Sequence, residues 1–306
     1  MRTGRWLTWP VFVELTEIFT APLNLAWFLL GAAMADYWYG AGNLTNLLLC
    51  LLDILIFDLA VNMSDNYCDY THAWDREGYA AHTNPIGRLG LPLDGVRRVT
   101  IILYVFSTIP GLLLVARAGW PVLFLGLVGY ALGIFYTAGR FPLNATPLCE
   151  LVVAVSITYM VPLAALMVSI YGQASLGWFA VSRSFMVCMP LMLIFFAIQL
   201  ANNIADLDED IKNHRYTLAY YLGSPWSIRL MRTLIALGAL WPLVNIALGI
   251  GPWQTVFSPL ALPLIWRYAK PFFARPSKQK TYMAVIKGAS FFFVAYILLF
   301  ALGVWL

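Results

Sequence analysis

Two eight-residue stretches, NMSDNYCD (Asn62 to Asp69) and NIADLDED (Asn203 to Asp210), share the spacing N-x-x-D-x-x-x-D and lie 141 residues apart. At 100° of turn per residue, Asp58, Asn62, Asp65 and Asp69 fall within about 60° of one another on a helix, with Asn66 beside them. Gln199, Asn202, Asn203, Asp206 and Asp210 share one face in the same way. Each stretch closes a long apolar run. Charge is costly so close to hydrocarbon, and the repeated stripes are therefore read as a functional site and not as solvated surface. Carboxylate and amide oxygens are hard ligands, and several facing one space suit Mg²⁺, which keeps waters and fills its remaining positions with phosphate oxygens. Bare carboxylates would repel a diphosphate. With a divalent bridge, and with Arg88, Arg140, Lys212 and Arg215 as cationic donors, the same site would hold one.

The elements that must position these residues are membrane helices. The chain is 61% hydrophobic and 11% charged, with a mean hydropathy of +0.75, which excludes a soluble domain. Nine stretches approach the length a helix needs to cross hydrocarbon: 19 to 38, 44 to 64, 98 to 116, 120 to 138, 148 to 171, 184 to 204, 229 to 249, 253 to 269 and 284 to 306. None alternates with period two, so the expected fold is all-α and polytopic, with about nine spans in one domain covering residues 1 to 306. The opening MRTGRWLTWPVFVELTEIF carries Glu14 and Glu17 and no cleavage site, and reads as an interfacial segment, not a signal peptide.

With nine spans, 16 of the 19 lysines and arginines fall on the side that holds the N-terminus and both acidic motifs. That bias predicts a cytoplasmic N-terminus and cytoplasmic motif loops, with the C-terminus outside. The net charge of +4 points to lipid headgroups and a substrate phosphate and not to nucleic acid. Cys50, Cys68, Cys149 and Cys188 form no CxxC pair, and His72, His82 and His214 are scattered, so neither disulfides nor zinc are expected. The glycine-containing loop from Asp69 to Arg98 is expected to cap the site as a mobile lid.

The motifs carry a family resemblance. NMSDNYCDYTHAWD and NNIADLDEDIKNHRYTLAYYLG resemble the two aspartate-rich motifs of the UbiA-type intramembrane prenyltransferases, and most of all the branch that prenylates dihydroxynaphthoate for menaquinone. Asn62, Tyr67, Asp69 and Asp75 fall on the first motif of that branch. Asn202, Asn203, Asp206, Asp210, Arg215, Thr217, Leu218, Leu222 and Gly223 fall on the second, and YTAG (Tyr136 to Gly139) and LCE (Leu148 to Glu150) resemble two segments between them. Three positions depart: Asp65-Asn66 reverses the usual Asn-Asp order, Ala205 stands where the branch has arginine, and Glu17 where a basic residue is common.

The resemblance implies a nine-helix bundle around a central cavity and Mg²⁺-dependent transfer of a polyprenyl group from an allylic diphosphate to an aromatic acceptor. The acceptor it favours is 1,4-dihydroxy-2-naphthoate, prenylated with loss of CO₂ to demethylmenaquinone. The ligand set it implies is Asn62, Asp65, Asn66, Asp69, Asp75, Asn203, Asp206 and Asp210 around two ions, with Asp69, Asp206, Asp210 and Tyr136 closest to the chemistry. Tyr67, Tyr136, Glu150 and Asn202 are the residues expected to meet the acceptor or the prenyl chain. The alternatives are another acceptor on the same fold, such as haem or a hydroxybenzoate, and, further off, a cation-coupled secondary transporter, against which the acids concentrate at one interface. A bacterial cytoplasmic membrane is the expected location.

Overall fold

The computed structural model describes residues 6–306; Arg2 and Arg5, counted above on the N-terminal side, lie outside that range. Among the described residues the regular structure is helical, as the lack of period-two patterning implies. A short α1 (Trp9–Thr16), with Pro10 in its first turn, ends at Glu17 in the left-handed region (φ 47°), and α2 (Ala21–Tyr39) follows after one tight turn. The long α3 (Leu44–His72) carries the first motif. A wide helical turn, Arg76–Thr83, and α4 (Pro85–Arg88) then lead to α5 (Leu93–Ala118) and α6 (Trp120–Thr137). Next, α7 (Cys149–Val155) and α8 (Val161–Ile170) form one rod through a widened turn at Ser156–Met160. That widening accommodates Pro162, whose ring crowds the preceding turn and which has no N–H to donate. The chain continues through α9 (Trp178–Ala205), α10 (Leu207–Lys212), α11 (Leu218–Ala247), α12 (Leu262–Ala274) and α13 (Met283–Trp305).

Eight of the predicted spans are helices long and apolar enough to cross a bilayer. The stretch from 253 to 269 differs: a 3₁₀ segment, Trp253–Ala261, runs into α12, and neither piece reaches that length alone. Its ends still lie at opposite poles. Before it, the Ile250 carbonyl accepts from the Trp38 indole N–H at 3.1 Å, beside the C-terminal end of α2; after it, Lys278 reaches the carboxylate of Asp206 at the motif end. Counting this stretch with the eight longer helices, the described residues pass nine times between the two ends. Several helices outrun the sequence expectation, α3 to His72, α5 from Leu93, α9 from Trp178 and α11 from Leu218. A hydropathy pattern sees only the hydrocarbon-facing part of a helix, whereas the backbone hydrogen bonding carries on into the polar turns beyond it.

Lipid tails are as apolar as leucine, so close packing must hold the helices together. Gly31 of α2 lies so near α8 that an added Cβ would run into the Pro162 carbonyl and come within 2.6 Å of the Ala165 Cβ. The core gathers Trp27, Leu30, Leu191, Ile194, Phe272, Phe292, Phe293 and Phe300, with Trp27 edge-on to Phe293 at a 5.0 Å ring separation. The outward faces of α5 and α6 are apolar and exposed, through Ile101, Val105, Phe106, Leu112, Phe124 and Leu127, as a bilayer requires.

Candidate active site

Because α3 runs unbroken to His72, Asp58, Asn62, Asp65 and Asp69 form the single stripe the spacing predicts. The second motif does not lie on one helix. α9 stops at Ala205, Asp206 takes φ −100° and ψ 4°, and α10 begins anew at Leu207. Asp208, Glu209 and Asp210 fill the first turn of α10, where carboxylates favour the exposed N–H groups of a fresh helix start. The break keeps the pair together all the same, since the Asp210 N–H donates to the Asp206 carbonyl at 2.8 Å.

Arg215 joins the two motifs. Its Nη1 lies 3.6 Å from Asp69 Oδ2 and its Nε 3.5 Å from Asp210 Oδ1. Asp69 also accepts from Asn144 Nδ2 at 3.1 Å and from the Tyr79 hydroxyl at 3.3 Å. Lys278 arrives from the far end of the chain and pairs with Asp206, its ammonium donating also to Asn202 Oδ1. Asn213 Oδ1 accepts from the backbone N–H groups of Trp74 and Asp75, both at 3.1 Å, and Thr83 donates to Glu209 at 3.3 Å. The segment between the motif and α4 is thereby pinned across the acidic end, as a cap.

Around these contacts the amide and carboxylate groups are fixed by local partners. Asn62 and Asn66 donate their side-chain N–H groups to the carbonyls of Thr16 and Leu15, both at 3.1 Å, so that the end of α1 fixes both amides. Asp65 Oδ1 accepts from the Thr137 hydroxyl at 2.7 Å, next to Tyr136, which lies close enough to Arg215, Asp65 and Asp69 to feel their charges. Asn203 and Glu150 hold each other, with Asn203 Nδ2 donating to Glu150 Oε1 at 2.8 Å and the Cys149 thiol donating to Oε2 at 3.1 Å. Glu150 is fully buried.

Electrostatics at this end are unbalanced toward the acids. Burial pushes the Asp210 carboxyl up to about 7, the nearby Arg215 opposing it, and Asp210 Oδ2 is buried with no hydrogen-bond partner. Glu209 is raised by burial and by Asp206, and Glu17 by burial against the pull of Lys278. For Arg215 burial works against the charge, yet Asp69 and Asp210 overcome it and hold the guanidinium more firmly charged.

The other predicted residues lie elsewhere. Arg88 is exposed and paired with Glu14, Arg140 is exposed with its guanidinium over the Phe141 ring at 5.6 Å, and Lys212 faces solvent. Of the four proposed diphosphate cations, Arg215 alone meets the motif carboxylates within salt-bridge distance among the described residues. Asp75 Oδ1 caps the Arg76–Thr83 turn, accepting from the Gly78 N–H at 2.8 Å. Tyr67 packs against Leu15, Met63, Ile86 and Val96 on the opposite face of α3.

Comparison with known proteins bears on this geometry. The sequence profile described as the UbiA prenyltransferase family matches residues 24–297. The chain belongs to the UbiA prenyltransferase family. It is 27% identical, over 79% of its length and 76% of the relative's, to the 1,4-dihydroxy-2-naphthoate octaprenyltransferase of Bacillus subtilis (strain 168). It is also 27% identical, over its whole length and 96% of the relative's, to the protein of the same name from Escherichia coli (strain K12). In fold it resembles a UbiA homologue from Archaeoglobus fulgidus bound to GPP and Mg²⁺, with a TM-score of 0.62 and 14% identity over 95% of this chain and 99% of the other.

For this UbiA-family prenyltransferase, four residues at the motif end escape a reading of the sequence: Lys278, Asn144, Tyr79 and Asn213. Lys278 is one of five basic residues between 267 and 280, and no spacing singles it out. Asn144, between Pro142 and Pro147, carries the faint signal of an amide in a turn that faces the motif loops. Tyr79 and Asn213 reach the site through the folding of the cap, which local pattern does not encode.

Proposed function

We propose that this chain transfers a polyprenyl group from an allylic diphosphate to 1,4-dihydroxy-2-naphthoate, with loss of CO₂. The observation that carries the reading is Arg215 lying between Asp69 of one motif and Asp210 of the other. The names of the two bacterial relatives favour this acceptor.

The residues fit Mg²⁺. Asp69, Asp206 and Asp210 offer hard oxygens, and the buried, unpartnered Oδ2 of Asp210 is an acceptor that wants a cation. Mg²⁺ characteristically takes one or two protein carboxylates and completes its shell with water and phosphate oxygens. Two ions would be held by Asp69, Asp206 and Asp210 with the side-chain oxygens of Asn62 and Asn66; that the Archaeoglobus homologue binds Mg²⁺ together with GPP supports the choice of metal. When bound, Mg²⁺ neutralises the charge that gathers on the departing diphosphate.

The chain's own groups do the rest. Arg215, ion-paired with two carboxylates, presents a charged guanidinium to the departing diphosphate as the C–O bond breaks and its electron pair leaves with that group. Lys278, the ion-pair partner of Asp206, would be free to reach a phosphate oxygen once that acid held a metal ion. Asn144 and Tyr79 hold Asp69 in place, and the Arg76–Thr83 turn excludes water from the allylic cation. The Tyr136 ring would stabilise that cation, and the electron-rich naphthoate ring attacks its terminal carbon; CO₂ then departs and the ring regains aromaticity. Residues 1 to 306 act as one domain, with the motif end in the cytoplasm of a bacterial cell, where both water-soluble substrate parts are found.

Purified protein incubated with labelled polyprenyl diphosphate, Mg²⁺ and, in parallel, dihydroxynaphthoate, hydroxybenzoate or haem tests the reading. The expected result is labelled prenyl-naphthol product with stoichiometric CO₂ from the first acceptor alone. Turnover of a different acceptor, without turnover of dihydroxynaphthoate, would overturn the acceptor; no turnover of any, with proton-driven uptake in vesicles, would overturn the enzyme reading.

A further inference from the structure

A second charged recess lies at the motif end, outside the aspartate site. It is a cleft of about 580 Å³ between the end of α9, the start of α10, the outer part of α11 and the end of α12, and Asp208, Ser224, Arg229, Arg232 and Phe273 are among its lining residues. Gly223 breaks α11 with φ 69° and ψ 158°, so that Ser224 and Pro225 open a new helical stretch at the cleft. Arg229 and Arg232 are three residues apart on that stretch and share its face.

Both arginines are exposed, and each is braced by an aromatic ring: Arg229 over Trp226 at 4.6 Å and Arg232 over Phe273 at 4.7 Å. Stacking occupies the flat face of a guanidinium and leaves its N–H edge free for oxygen acceptors. Among the described residues neither arginine has a carboxylate within 4.0 Å; Asp208 lines the cleft, but as an exposed acid that pairs with neither. Beside the two cations the walls are apolar, with Ile204, Leu207 and Ile228.

We infer that this cleft binds the phosphodiester headgroup of an anionic phospholipid. Two guanidinium groups without carboxylate partners suit phosphate oxygens, and the setting at the polar end of the helix bundle, with greasy walls, suits a ligand that continues into acyl chains where a free phosphate does not. Ala205, Leu207 and Asp208 form one wall and bracket Asp206 in sequence, so the bound lipid steadies the helix break that carries the second motif.

Native mass spectrometry of the intact chain in detergent, with phosphatidylglycerol or phosphatidylcholine added, tests this without reference to activity. The expected result is preferential retention of phosphatidylglycerol, falling roughly tenfold or more in the double variant Arg229→Gln/Arg232→Gln. The double variant Arg97→Gln/Arg98→Gln, with the same change of charge at the N-terminal end of α5, should keep the preference. Equal retention of the two lipids, equal losses in the two double variants, or displacement of phosphatidylglycerol by inorganic phosphate would each overturn the assignment.

Discussion

Arg215 is the residue on which the two motifs depend, because it is the cation shared by Asp69 and Asp210. Arg215→Ala should lower kcat/KM for the allylic diphosphate by at least about a hundredfold, the loss typical of a preorganised charge-stabilising donor. Arg215→Lys should recover little of it, since a single ammonium cannot face two carboxylates from fixed directions; steady-state kinetics on the two variants decides this. Lys278 is ion-paired with Asp206, and under the proposed function metal would have to compete with it for that carboxylate. Lys278→Met should therefore lower the Mg²⁺ concentration for half-maximal activity several-fold while raising KM for the diphosphate. A Mg²⁺ titration in which both values rise, or neither moves, would remove Lys278 from the exchange. The acids stand out in the sequence by their spacing and Arg215 as one of four candidate cations and a match to the family motif, but Lys278 enters 72 residues after Asp206 with no periodic relation to it.

At the scale of elements, the first motif is legible and the second only in part. The spacing 4, 3, 4 from Asp58 to Asp69 needs nothing but a continuous helix, and α3 supplies one. The second motif has similar spacing, but its acids start a new helix, a choice that rests on helix-end electrostatics and tertiary contacts as much as on periodicity. Asp53, on the other side of α3, is packed against Gly111 of α5 with one carboxylate oxygen unpartnered among the described residues. The cap is an element whose stability can be tested. Asn213→Ala removes the acceptor for two backbone N–H groups, worth about 1–3 kcal/mol together. Hydrogen exchange in residues 74 to 84 should speed up accordingly, with a rise in KM of about tenfold. Unchanged exchange there would mean that Thr83 and Tyr79 suffice to hold the cap.

Across the whole molecule, composition is enough to specify a bundle of membrane helices, and the ends of the passes can be read from hydropathy only to within several residues. The count of nine passes rests on residues 253 to 274, whose 3₁₀ segment and basic α12 blur the hydropathy signal. Contacts at the two poles resolve it, through Trp38 with Ile250 at one and Lys278 with Asp206 at the other. Single cysteines introduced at Glu77 and at Gln173, in a background lacking the four native ones, should react with an impermeant reagent from opposite sides of sealed vesicles. Labelling of both from one side would undo the arrangement of the passes. The same arrangement has a consequence for biogenesis. Asp206 emerges from the ribosome well before Lys278, and the lysine is brought to it only when α12 has been threaded and α13 begins. A nascent chain stalled before that point holds its acidic end without this counter-charge, so completion of the motif end is a late event of synthesis.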